Sequence, residues 1–414
     1  MATDYITDFE ELMLLDEAAM ARRYDIYRHA REAGPIFWSE RLQRWYCTHF
    51  VLVRDGLRDP RLSNENPPAF LRQLPDDVRA TLSLENPLFR QFHKIMMSRD
   101  DPDHARLRAL VNNAFTPRSI EQQRPLMERL TRDLLVAMET MEQPDFIRDF
   151  AIPFPIMVIA RMIGIPYEDL GQIKHWSDMG ADFLASAGDS TELLMNTAAI
   201  ALEFNAFLHP HLEARRRQPQ DDLLSALIQA EAQGDRLDED ELIANVFLLL
   251  AAGNETTTNL LGNSLWTLLN HRDQLDLLRA QPGLIEAAVE EMLRYESPSQ
   301  LSGRRVKDDM VLAGQRVSAD ATVVFMIGAA NRDPAQFADP ESFLIARKDN
   351  KHIAFGMGPH YCLGAPLARL EAQVTLPILL DTYPALRLAN ESEPARWRKN
   401  PTFLGLEQVP IRLA

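Results

Sequence analysis

Apolar residues recur three and four positions apart over five long stretches, 20–33, 117–141, 193–217, 239–270 and 283–295. That spacing predicts a helix over each. A sixth helix is expected from Leu363 to Tyr383, with Pro366 near its first turn, where proline is tolerated. Strand patterning is sparse. Gly34-Pro35 introduces residues 36–38, a turn follows, and 45–48 completes a hairpin. Residues 322–326, all apolar or β-branched, predict another strand after the polar Ser318-Ala319-Asp320. From Asn331 the chain reads NRDPAQFADPESF, rich in Pro and Asp, which predicts an ordered meander without long elements. The pattern therefore describes a mainly α protein with a small β subdomain.

Composition narrows this picture. The 414 residues contain no Gly/Ser- or Pro-rich linker and no internal repeat, so one large domain, or two fused lobes, is expected. With 44 basic and 60 acidic residues the net charge is −16, which disfavours general nucleic-acid binding. Arg215–Arg217 and Arg304-Arg305 are local exceptions that read as solvated faces. The first twenty residues carry several acids and no basic segment leading into an apolar run, so neither a signal peptide nor a membrane anchor is expected. The longest apolar stretch, around 246–253, is far shorter than the ~20 residues of a membrane span. Two cysteines in unlike contexts form no disulfide framework and suit a reducing, cytoplasmic compartment.

One of those cysteines sits in unusual company. Residues 355–364 read FGMGPHYCLG. Metal binding requires the thiolate, and a following helix start places partial positive charge and backbone N–H groups beside Cys362. The glycines permit unusual backbone angles, and Gly364 lets something flat approach closely. A zinc site would need three or four ligands at short spacing, and only His360 is near. A catalytic thiol beside His360 and an inert buried cysteine in a Gly-rich turn are the other readings of the loop alone.

The pattern Phe355-x-x-Gly358-x-His360-x-Cys362-x-Gly364 resembles the haem-binding loop of the cytochrome P450 family. Other parts follow in the family's chain order. Ala252-Gly253-x-Glu255-Thr256-Thr257 resembles the oxygen-binding segment of its long central helix, with Glu255 and Thr256 as the acid–alcohol pair. Gly253 removes a side chain where O2 would sit, the Thr256 hydroxyl can hold a water or a helix carbonyl, and Glu255 can relay protons. Glu291-Met-Leu-Arg294 matches the ExxR pair, with both side chains on one helix face. Ser342, in DPESF, stands where many relatives carry the third, basic member, and Arg347 is the expected substitute. Asp100-Asp101-Pro102-Asp103-His104-x-x-x-Arg108 resembles the segment whose His and Arg meet the haem propionates, with Asp101 and Asp103 as departures. Arg304 is expected to make a further propionate contact, with Arg305 alternating to the other face.

The resemblance runs from about residue 20 to the C-terminus. It implies a cytochrome P450 fold and one haem domain over 1–414. The β-rich lobe would include about 34–50 and 305–326, and the α-rich lobe about 117–295 and 355–385. It implies haem b (iron protoporphyrin IX) with Cys362 as the iron ligand, Phe355 beside the sulfur, His360 at a propionate, and Gly253 and Gly364 close to the cofactor. Thiolate ligation raises electron density at the iron and favours O–O cleavage. The implied reaction is monooxygenation, a hydroxylation or epoxidation, with Glu255 and Thr256 delivering protons. The chain ends soon after the haem segment and contains no GxGxxG, so electrons are expected from a separate ferredoxin and its NAD(P)H-dependent reductase. Lys348, Lys351 and Arg369 are candidate docking cations. By family position, the loop at 84–97, Phe247, Leu248, Ala251, Ala252, residues 299–302 including Leu301, Phe403 and Leu404 would line an apolar substrate pocket. A polyketide, terpenoid, steroid or fatty acid would suit such a lining. An H2O2-driven peroxygenase, an atypical coupling or dehydrating member, and a non-enzymatic haem sensor are the rival readings.

Overall fold

The computed structural model of the chain describes residues 4–65, 87, 91, 94–166, 169–185, 191–230 and 235–413. The chain forms two compact units. The first comprises Met1–Ser63, Thr131–Ala151 and Thr256–Ala414, and the second Asn64–Leu130 and Ile152–Glu255.

The first unit is built on a five-stranded sheet ordered β1-β2-β7-β4-β3, where β1 is Ile36–Ser39, β2 Arg44–Cys47, β3 Leu62–Ser63, β4 Leu301–Val306 and β7 Thr322–Met326. The predicted hairpin is β1–β2, and β2 pairs in parallel with β7, the other predicted strand. Side chains alternate between faces along a strand, and the sheet uses both faces. Ile36, Cys47, Val306, Val323 and Phe325 join one apolar cluster with the helix Phe50–Gly56. Phe37, Tyr46, Val324 and Met326 join another with Phe9, Leu12 and Tyr27. Cys47 is therefore a core residue, and burial pushes its thiol well above the ordinary cysteine value. A small hairpin follows β4, with β5 Met310–Leu312 paired to β6 Gln315–Val317. Strands β8 (Arg387–Leu388) and β9 (Ile411–Arg412) form a separate ribbon.

The second unit is helical among its described residues. Trp176, on the helix Leu170–Ala185, is fully buried against Phe204 and Phe207 of Thr191–Arg217. Phe204 in turn meets Phe247. The helix Pro153–Ile163 stops at Gly164, whose φ of 91° is the left-handed cap that glycine adopts without strain. Arg215 closes over that cap, donating to the Gly164 carbonyl at 2.7 Å and to Asp222 at 2.8 Å.

The longest element is the helix Glu239–Asn270, 32 residues with the bounds the periodicity predicts. Asn254 donates to Ser177 Oγ, which donates to the Leu250 carbonyl. Thr258 donates to the Ala151 carbonyl and Asn263 to the Leu404 carbonyl. Among the described residues, no helix is long and apolar enough to cross a membrane.

Candidate active site

The cysteine loop is a tight, hydrogen-bonded structure. The Cys362 N–H donates to the Phe355 carbonyl at 3.0 Å, closing the loop on itself. Gly358 has φ 75°, and a Cβ there would lie 3.0 Å from the Leu57 carbonyl oxygen, so both backbone angle and space require glycine. The helix Ala365–Thr382 starts at the N-cap Gly364 with Pro366 in its first turn. A Cβ on Gly364 would lie 3.9 Å from Cys362 Sγ, so the glycine backbone faces the sulfur. Cys362 is exposed, His360 and Phe355 are half-buried, and Met357 and Ile353 pack on the sheet cluster that holds Val306.

Along the central helix, burial is almost complete from Glu241 to Leu260, with few breaks. Four of the five breaks, at Leu249, Ala252, Gly253 and Thr256, follow a spacing of three, one and three and form one strip, while the fifth, Phe247, lies on another face. A Cβ on Gly253 would meet no heavy atom within 4 Å. Glu255 lies off the strip and is buried, as is Thr257. Ala251, on another face, packs against Gly180, where an added Cβ would come within 2.8 Å of it. Leu248 is buried and Phe247 half-buried. Ser299 bridges to Phe403, and Leu301 opens β4 opposite Met326, both partly buried. Of the expected pocket loop at 84–97, residues 84–86, 88–90, 92 and 93 lie outside the described residues.

His104 and Arg108 share a face of the helix Asp103–Ala114. His104 is buried, and burial pushes its imidazole below the ordinary value while Asp101, 3.2 Å away, acts in the other direction. Arg304 is buried on the same face of β4 as Val306, and its guanidinium donates to Ser302 Oγ at 2.8 Å. Arg305 alternates to the other face and pairs with Asp320 at 2.8 Å near solvent.

Glu291 and Arg294 are wholly buried and meet through two bonds of 2.8 Å. Arg347 completes the cluster, with its Nε 3.1 Å from both Glu291 oxygens. Ser342 contributes through its carbonyl, which accepts from Arg294 and Arg347. The sequence reading missed several charged residues nearby. Arg332 is buried between the rings of Tyr24 and Tyr295, at 3.5 and 3.9 Å. Glu371, on the cysteine helix, is buried and hydrogen-bonded to Thr257. Glu290 takes Arg369 in a fork of 2.7 and 2.8 Å, so the Arg369 charge is already matched. The only local signal for Glu290 was the doubled Glu290-Glu291 in front of the motif arginine.

The donor set suits a haem. It offers one sulfur at a helix start and backbone in place of side chains around it, and the central helix separately carries a strip that includes Ala252 and Gly253. Among the described residues, no three His, Cys, Asp or Glu groups converge as a metal cage. A lone sulfur donor flanked by backbone suits a metal that brings its own ring of nitrogen ligands.

Comparison with known proteins agrees. The sequence profile of the family Cytochrome P450 matches residues 191–412. Cytochrome P450 107B1 of Saccharopolyspora erythraea is 38% identical, over 97% of this chain and 98% of its own. The 6-deoxyerythronolide B hydroxylase of the same organism is 35% identical, over 94% and 96%. The solved structure of myxobacterial CYP267B1 in complex with myristic acid superposes with a TM-score of 0.86 at 37% identity, covering 97% of this chain and 98% of that one. The chain belongs to the cytochrome P450 family and is a haem b thiolate monooxygenase, using O2, redox partners and hydrophobic small-molecule substrates.

Proposed function

We propose that Cys362 is the thiolate ligand of the haem iron and that 1–414 works as one haem domain. The observation that carries this reading is the exposed Cys362 sulfur at the start of the Ala365–Thr382 helix, in a loop closed by its own N–H. His104, Arg108, Arg304 and His360 hold the propionates, where charge-assisted bonds are strongest. Gly253 and Gly364 give the macrocycle room, and Phe355 packs beside the sulfur. When bound, the haem supplies O2 activation and insertion of one oxygen atom into substrate.

The chain's own groups supply protons and position. Thr256, on the half-buried strip of the central helix, holds the last proton donor, and Glu255, one residue back and buried, is the proton source behind it. Glu291, Arg294 and Arg347 act on the scaffold. Phe247, Leu248, Ala251, Ala252, Leu301 and Phe403 shape an apolar substrate pocket. The substrate is a hydrophobic product of secondary metabolism, hydroxylated or epoxidised. Support comes from the relatives, one a hydroxylase of 6-deoxyerythronolide B and another solved with myristic acid.

Electrons come from a ferredoxin and its NAD(P)H-dependent reductase in the cytoplasm. Exposed Lys348 and Lys351 are the docking cations, and charge reversal there with an unchanged reduction rate would count against that role. The central assignment is tested by the CO-difference spectrum of the reduced protein. A strongly red-shifted Soret band is expected, and its persistence in Cys362→Ser would refute Cys362 as ligand.

A further inference from the structure

The Glu290 carboxylate is the hub of a network that reaches both ends of the cysteine loop. Its Oε1 accepts from Arg369 Nε at 2.7 Å. Its Oε2 accepts from Arg369 Nη2 at 2.8 Å and meets His352 Nε2 at 3.0 Å. His352 Nδ1 accepts the Ala354 N–H at 3.2 Å, so the ring proton sits on Nε2 and points at Glu290. The remaining Arg369 nitrogen donates to the Tyr361 hydroxyl at 3.1 Å. The same guanidinium lies over the Phe355 ring, 4.5 Å from its centroid. One carboxylate thus ties down residues 352, 354, 355 and 361, which flank the loop that ends at Cys362.

The network is well placed to hold geometry. The His352 side chain is 3% exposed and those of Arg369 and Glu290 27% and 29%, so the bonds are only partly shared with water. A bidentate Arg–carboxylate pair fixes orientation as well as distance. Burial would raise the Glu290 pKa, but Arg369 and His352 outweigh it and hold the carboxyl at about 2. The hub therefore stays charged across the working pH range. Phe355 matters because its carbonyl receives the Cys362 N–H, so a shift of the ring carries the cysteine backbone with it.

We propose that Glu290, Arg369 and His352 form a positioning clasp that fixes the 355–362 loop and holds Cys362 in place as the ligand. This rests on Cys362 being the iron ligand. It also assigns Arg369 a different task from Lys348 and Lys351, because its charge is turned inward onto Glu290.

The test compares the holoprotein with Glu290→Gln, Glu290→Asp, Arg369→Lys, Tyr361→Phe and Cys362→Ser. Two readouts are followed: conversion of the reduced CO complex from the thiolate-type to the thiol-type band, and hydrogen exchange at the Ala354 and Cys362 amides. Glu290→Gln is expected to speed conversion on the order of tenfold, the scale of a lost charge-assisted bond, and to raise both exchange rates. Glu290→Asp restores part of the loss. Arg369→Lys keeps the charge but loses the fork and the ring contact, and behaves like Glu290→Gln. Tyr361→Phe removes one exposed hydroxyl bond and shifts both readouts less, in the same direction, which keeps the test open should Glu290→Gln fail to fold. Wild-type conversion and exchange in folded Glu290→Gln and Arg369→Lys would overturn the clasp. So would an Arg369→Lys protein altered only in its rate of reduction by ferredoxin. Survival of the thiolate band in Cys362→Ser would instead overturn the ligand assignment itself.

Discussion

Arg347 Nε sits 3.1 Å from each carboxylate oxygen of Glu291, a residue 56 positions earlier in the chain. The same oxygens accept from Arg294, from the Leu344 N–H and from Asn350. Every lone pair of a buried carboxylate is thus occupied. Arg347 also donates to the carbonyls of Ala338, Asp339 and Ser342, which turns the meander around one guanidinium.

Arg347→Ala is accordingly expected to lower stability by roughly 1–3 kcal/mol, because the buried Glu291 carboxylate loses one of its two cationic partners while Arg294, the Leu344 N–H and Asn350 stay in place. Arg347→Lys keeps the charge but not the fork, and falls between the two. Thermal unfolding of the three proteins checks this, and an alanine variant as stable as wild type would contradict it.

Arg332 is expected to resist replacement by lysine as well. It stacks between Tyr24 and Tyr295 while bonding the Tyr295 carbonyl, Glu296 and Glu341. An ammonium cannot serve all of these at once. Arg332→Lys should cost about 2 kcal/mol or more, the scale of a desolvated cation–π contact, read from denaturant midpoints. An unchanged midpoint would show that stacking contributes nothing there.

Much of this architecture was legible in the chain and some was not, for identifiable reasons. The 239–270 helix is long and strongly patterned, and its predicted ends match. The helix predicted at 20–33 breaks at Arg22, which caps Glu17–Ala21 and precedes Arg23–Ala33. The one predicted at 117–141 is interrupted at Gln122–Gln123. The first break carries no Gly or Pro, and at the second only Pro125, in the first turn of Arg124–Glu139, marks the new start. Pro153–Ile163 was not predicted because IPFPIMVIARMIG is apolar on nearly every face, which leaves no polar side to mark a helical spacing. Of the residues named from the sequence, Glu291, Arg294 and Arg347 meet as expected. The Glu290–His352 and Glu290–Arg369 contacts span 62 and 79 positions, and no local spacing reports such a pairing.

Thr256→Ala should uncouple the reaction. Thr256 lies on the half-buried strip of the central helix, next in sequence to buried Glu255. If Thr256 delivers protons as proposed, O2 uptake continues in the variant while product per O2 falls by roughly tenfold or more. Parallel measurement of product, O2 and NAD(P)H decides the matter. Unchanged coupling would remove Thr256 from the proton path.

Glu371 should make stability depend on pH. Burial pushes its carboxyl up to about 8, against the pull of the Thr257 bond. With the folded value above the unfolded one, the stabilisation from the retained proton is full below about 4.5 and is lost as pH rises through about 8. Across that window it declines by about 1.4 kcal/mol per pH unit. Glu371→Gln cannot titrate, so it should unfold at the higher denaturant concentration at pH 8, with the gap closing toward pH 4.5. Parallel pH profiles for the two proteins would exclude the effect.

The helix Ile285–Tyr295 carries Glu290 and Glu291 side by side, about 100° apart around its axis. One holds the meander and the other the cysteine helix and loop. A small rotation of this single helix would release both sets of bonds together. Loosening of the meander and of the cysteine loop is therefore expected to be coupled, since both are anchored on this one helix.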